Sequence, residues 1–299
     1  MDSFRLVLED DDPPDFTVKV LDVVNNTIQS TDSAAANDAA LAIDAILLEW
    51  VTNDDDTKRD PEGFFWCFWE TLYSFAQQLP HDSVQQDRLA AIVESLANLP
   101  PRTVELKLWR EYQLWKELPI FGAALREMRL YNIKWEKMKP DEKRRFVNLQ
   151  AFAARVLGLR LLGLEVYAIW VFTDALEGAM IPIRGSPDLV SHDPTIVTDL
   201  SFKVAAAAEW MVHGAKVMYG RDEEVYATDG GPLWKLGKKE GNKLRRRYKG
   251  TKGLCPQRWD LWRERFEVIR DCEEVDEKTR NEAGRAVTVM YRAQPEHER

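Results

Sequence analysis

Tyr167, Trp170, Asp174 and Glu177 recur at intervals of three and four residues, so they share one face if the stretch around them is helical. Two carboxylates one turn apart beside two aromatic rings can act as a general acid and base on a substrate held against the rings. A second candidate is His213. Glu209 lies one turn before it and can orient the imidazole and raise its basicity, and Trp210 is adjacent. A third set, Arg258, Trp259, Trp262 and Arg263, is spaced for one helix. There the arginines can stack on the indoles or pair with Asp174 and Glu177. The expected catalytic residues are therefore Asp174, Glu177, His213 and Tyr167, with Trp170, Trp210, Trp262 and Arg258 against the substrate. Each set also has an ordinary counterpart, respectively a solvated helix face, a surface Glu–His pair and an aromatic core.

Other spacings carry less. Residues 11–15 read Asp-Asp-Pro-Pro-Asp, which matches the DDxxD spacing of magnesium-binding terpene cyclases, but two consecutive prolines forbid the helix that would align those carboxylates. No HExxH, P-loop, dinucleotide glycine fingerprint or GxSxG elbow occurs. Cys67, Cys255 and Cys272 are few and scattered, which reads as three free thiols rather than a disulfide framework or metal site. The expectation is chemistry with no cofactor and no metal.

The elements that must position these residues all read as helices. Residues 146–180 are apolar around most of a helical circumference, as befits a long central helix enclosed by others. Asp60-Pro61, Pro140, Asp193-Pro194, Pro256 and Asp276 mark helix starts, and residues 103–118 show a helical apolar period. No alternating strand series stands out. The fold class expected is all-α, an irregular multi-helix bundle around that central helix. Residues 1–32 would be a loose acidic N-terminal arm and residues 33–299 a single all-helical domain.

Composition agrees with a globular chain. Of 299 residues 45% are hydrophobic and 30% charged, and 11 are tryptophan, enough for an aromatic core or a lined pocket. No run approaches the ~20 apolar residues of a membrane span. The acidic beginning is unlike a signal peptide, which points to the cytoplasm or nucleus. The run from Lys235 to Lys252 holds nine basic residues and one acid, Glu240. It could meet nucleic acid, an anionic surface or the acidic first 60 residues.

Three stretches together resemble a known family: LWKELPIFGAALRE at 114–127, NLQAFAARVLGL at 148–159 followed by Tyr167 and Ala175-Leu176-Glu177, and GPLW at 231–234 leading to RWDLWRERF at 258–266. They are similar to the fungal family catalogued as domain-of-unknown-function family 3632, over residues 104–290. The resemblance implies a fungal source and an all-helical fold. It brings no catalytic residues, and it inclines the reading towards small-molecule, secondary-metabolite chemistry. The function expected is a cofactor-independent cyclase, isomerase or pericyclase that encloses an apolar substrate in a tryptophan-lined cavity. The competing expectation is a non-enzymatic interaction or regulatory protein using a helix groove or the basic run. A closed internal cavity bounded by Tyr167, Trp170 and Trp210 would favour the first, and a solid core with an exposed apolar groove the second.

Overall fold

The computed structural model describes residues 4–52, 60–107, 109–128, 133–177, 182–183, 186–226 and 250–294. The described chain is essentially all-α, with three two-stranded antiparallel pairs as its sheets. None of the described helices is long and apolar enough to cross a membrane. The backbone folds into two compact units, Met1–Leu162 and Gly163–Arg299. The boundary falls inside the stretch read as one central helix.

That reading is corrected by the backbone at residue 160. Helix α6 runs over Pro140–Gly158 and stops. The Arg160 N–H donates to the Leu157 carbonyl at 2.9 Å and the Leu161 N–H to the Val156 carbonyl at 3.3 Å, with Arg160 left-handed at φ 59. This is a Schellman stop, and it carries an arginine where glycine would have announced it. Helix α7 then begins at Glu165 and ends at Phe172, continuing into one π-helical turn over Thr173–Glu177.

In the first unit, α1 (Asp15–Gln29) buries Phe16, Val20, Val24 and Ile28, so these residues of the expected loose arm are anchored by a regular apolar stripe. Asp15 opens this helix while Asp11 and Asp12 precede it, so the three carboxylates do not form a helical set. Helices α2 (Ala35–Thr52), α3 (Pro61–Gln78) and α4 (Val84–Ala97) follow. Pro61 takes the first position of α3, and the Asp60 carboxylate accepts the Glu62 N–H at 2.9 Å. The core of this unit is aromatic. Phe64, Phe65, Phe68 and Trp69 on α3 are fully buried, and Phe65 and Trp69 meet Trp115 and Phe121 at ring separations of 5.5 and 4.9 Å.

Residues 103–113 are not helical as expected. They form a hairpin, β1 (Thr103–Glu105) against β2 (Glu111–Gln113), and Trp115, Leu118 and Ile120 then adopt positive φ. Buried aromatic groups hold this strained path. Trp69 Nε1 donates to the Pro119 carbonyl and the Tyr73 hydroxyl to the Phe121 carbonyl, both at 2.7 Å, and Trp115 Nε1 donates to Asp44 at 2.7 Å. Helix α5 (Phe121–Glu127) follows.

The second unit is built on α8 (Leu200–Met218), whose buried run of alanines at 205–208 presents little side-chain bulk. It packs against α10 (Glu277–Ala293), which in turn packs on α9 (Pro256–Asp271). The antiparallel pairs β3–β4 (Pro182–Ile183, Ser186–Val190) and β5–β6 (Glu223–Glu224, Gly253–Leu254) complete it. The basic run from Lys235 lies outside the described residues as far as residue 249.

Candidate functional site

Helix α8 ends where the Tyr219 N–H donates to the Ala215 carbonyl at 2.8 Å, and Gly220, at φ +75, turns the chain out of the helix. The next residues pair across the chain, Glu223 with Leu254 and Glu224 with Gly253. Gly253 must be glycine, because at φ +127 an added Cβ would lie 2.4 Å from the Val225 nitrogen. This close pairing delivers Leu254 and Cys255 to the start of α9, which Pro256 opens.

These segments border a partly open cavity of about 450 Å³ within the second unit, a volume in the range of small-molecule sites. Met218, Tyr219, Leu254 and Cys255 line it together with Trp259 and Trp262 of α9. Tyr219 and Trp259 meet edge to face at 5.1 Å. Charged side chains at the cavity are Arg221, Asp260 and Arg263, and Gln294 closes it from beyond α10. Arg221 pairs with Glu165 and Glu223, and Arg263 with Asp260 at 3.0 Å. Burial pushes the Cys255 thiol above its ordinary range, although backbone N–H groups of Arg258 and Gly250 donate to the sulfur and oppose the shift. The cavity therefore meets a protonated thiol.

An ion pair sits behind its aromatic wall. Glu177 and Arg258 are both fully inaccessible to solvent. Arg258 donates to Glu177 from Nε at 2.9 Å and from Nη2 at 3.2 Å, to the Gly253 carbonyl at 2.8 Å and to the Thr173 hydroxyl at 3.1 Å. Trp262 Nε1 donates to the same carboxylate at 2.8 Å. The π-turn thus supplies a hydroxyl from its first residue and an acid from its last, and one guanidinium ties it to β6 and α9. A buried pair of this kind is tolerated because each guanidinium nitrogen and both carboxylate oxygens are hydrogen-bonded. With its N–H engaged by Glu177, Trp262 offers the cavity ring surface.

The residues expected from sequence are thereby separated. Trp262 lines the cavity, and Glu177 and Arg258 position it from behind. Tyr167 and Trp170 pack edge to face on each other at 5.4 Å. Asp174 leaves its side chain 45% exposed and lies 3.3 Å from Lys203, and Trp210 is part of the core. His213 Nε2 is 3.3 Å from the buried Glu209, which also accepts from Arg285, itself bridged to Glu282. None of Tyr167, Trp170, Asp174, Trp210 and His213 lines this cavity, so the eight residues do not share it as the helical spacing suggested. Within residues 167–177, α7 gives way to a π-turn, and there Asp174 and Glu177 lie in different surroundings, one half-exposed and the other fully buried. The residues expected at the site do not include Tyr219, Leu254 or Cys255, and Trp259 enters only as a helical neighbour of Trp262. Trp259 shared the aromatic face read for Trp262, and the glycines at 220 and 253 flanked the turn and the pairing that bring the other three in.

The model of a family described as a protein of unknown function (DUF3632) matches residues 69–266. It reaches back to Trp69 in α3 and includes every wall of the cavity except Gln294. No curated protein and no solved structure matches the chain.

Proposed function

Because the chain belongs to the DUF3632 family, whose description carries no activity, we propose from its own cavity that it is a small-molecule-binding protein. Its ligand is held between the end of α8 and the start of α9. The observation that carries this reading is the cavity of about 450 Å³ walled by Tyr219, Trp259 and Trp262. Aromatic walls supply the contact area for an apolar body of drug-like size, and the polar groups beside them, Arg221, Asp260, Arg263 and Gln294, would fix its orientation. The same features suit a cyclase or isomerase acting on an apolar substrate, which accelerates a unimolecular step by holding one reactive conformation.

The test is a thermal-shift and tryptophan-fluorescence screen of the full chain against neutral apolar compounds, repeated on Tyr219→Ala. Tyr219 is only half-buried, so the variant should keep its fold. A true ligand at about 100 times its Kd should stabilise the native chain by about 2.7 kcal/mol, and Tyr219→Ala should weaken its binding about tenfold, as expected for losing one aromatic contact and its buried area. Absence of saturable binding, or binding indifferent to Tyr219→Ala, would overturn the proposal. Turnover is checked by incubating confirmed ligands with the chain and looking for isomeric products.

A further inference from the structure

The guanidinium groups of the second unit differ in how far they are committed. Arg221 holds two carboxylates, Glu165 and Glu223, and Arg285 also holds two, Glu209 and Glu282. Arg258 is bonded through all three of its nitrogens. Arg263 is different. It lines the cavity, and among the described residues it makes one hydrogen bond, from Nη2 to Asp260 at 3.0 Å. Its guanidinium also lies 5.5 Å from the centre of the Tyr291 ring, which helps to hold the group in place. Nε and Nη1 have no hydrogen-bond partner among the described residues and are not among the buried atoms that lack one, so solvent reaches them. The Arg263 side chain is 24% exposed and that of Asp260 61%. A guanidinium presents five N–H donors in a fixed fork that matches a carboxylate, and at Arg263 most of that fork is accessible and unengaged.

Resting on the binding function proposed above, we infer that the ligand is an apolar carboxylic acid held as its carboxylate, with the anionic end on Arg263 and the hydrocarbon body against the Tyr219 and Trp259 rings. Asp260 is the competitor. An exposed pair such as Arg263–Asp260 contributes little, so a ligand carboxylate can share the guanidinium with Asp260, as Glu165 and Glu223 share Arg221. Arg221, already held by two acids, and Arg258, matched by Glu177 behind the wall, offer a further anion nothing comparable. Arg263 is thereby the residue that selects acids over neutral molecules of the same shape.

Three probes with one ring system and different end charges separate the possibilities: 2-naphthylacetate, 2-naphthylacetamide and 2-(2-naphthyl)ethylammonium, titrated by calorimetry into the full chain at low salt. The native chain should bind the acetate about tenfold tighter than the amide, the gain from one charge-assisted hydrogen bond at a partly exposed site. That preference should shrink as salt is raised. Arg263→Gln should bring the acetate down to the affinity of the amide, with a urea midpoint near that of the native chain reporting an intact fold. Arg270→Gln removes the same charge further along α9, where Arg270 pairs with Asp271 and does not line the cavity, and should leave the preference as it is. Asp260→Asn should raise the preference for the acetate severalfold, because Arg263 loses its competing carboxylate. This gain keeps the inference falsifiable should Arg263→Gln fail to fold.

Equal affinities for acetate and amide in the native chain, a preference that persists in Arg263→Gln or fails to rise in Asp260→Asn, or tightest binding of the ammonium would overturn the inference. If none of the three binds while the wider screen yields ligands sensitive to Tyr219→Ala, the inference fails and the binding function stands. If neither experiment yields a ligand, both fail.

Discussion

Glu177→Gln should be among the most destabilising near-isosteric substitutions in the second unit. The side chain keeps its shape, so the loss is electrostatic: Arg258, fully buried and held by that carboxylate from Nε and Nη2, would face an amide. Removing one partner of a buried pair costs about 3–5 kcal/mol, because the remaining charge is left in a poorly solvating interior. With a urea slope of about 2 kcal/mol per molar, a cost near 4 kcal/mol lowers the unfolding midpoint by about 2 M. The assay is urea unfolding followed by tryptophan fluorescence, since Trp262 donates to the same carboxylate. Asp260→Asn is the internal control. It breaks the pair with Arg263, whose partner Asp260 is 61% exposed, and a surface pair contributes about 0–1 kcal/mol. Replacing both members of the buried pair, as in Glu177→Leu with Arg258→Met, should recover much of the loss, because two apolar groups carry no desolvation penalty. If Glu177→Gln shifted the midpoint no more than Asp260→Asn, the account of the site as walls fixed by a buried charge pair would be wrong.

Two further substitutions test the backbone reading. Arg160 occupies the left-handed position that ends α6, at φ 59 with an exposed side chain. Arg160→Gly should therefore stabilise the chain by about 1 kcal/mol, seen as a raised urea midpoint, whereas destabilisation would mean that the side chain holds something the turn does not explain. At the start of α10 the Asp276 carboxylate accepts the Thr279 hydroxyl at 2.6 Å and the Thr279 N–H at 3.0 Å, which holds its pKa below the ordinary 3.8. A depressed folded value means that the capping contribution is complete above the unfolded value. It is lost as pH falls through the folded value. Asp276→Ala should cost about 1 kcal/mol at neutral pH, and the difference from the native chain should shrink as the solution is acidified below pH 3.8. A pH-independent difference would contradict the cap.

What could be read from the sequence follows from how local the determining chemistry is. Asp60-Pro61, Pro140, Pro256 and Asp276 mark helix starts correctly because an N-cap acceptor and a fixed φ act within three residues. The need for a partner to Glu177 was also legible, since a carboxylate on so apolar a stretch cannot be buried alone. The end of α6 was not legible. Its stop is written in hydrogen bonds around Arg160, and nothing about that residue type distinguishes it from its helical neighbours. Residues 104–118 failed for a related reason. Their apolar spacing fits a helix, and the path is instead imposed by Trp69 and Tyr73 from another element. The cavity lies furthest from local reading. Its walls meet because Glu223 and Glu224 pair with Leu254 and Gly253 across nearly thirty residues of chain, and no window of sequence contains both strands. Gly253 was the available signal. Among glycines in a long irregular region it stands out only once a neighbouring strand occupies the space of its missing side chain. A site assembled from a helix end, a strand pair and a helix start is thus announced in sequence by its glycine and proline joints more than by the side chains that would touch the ligand.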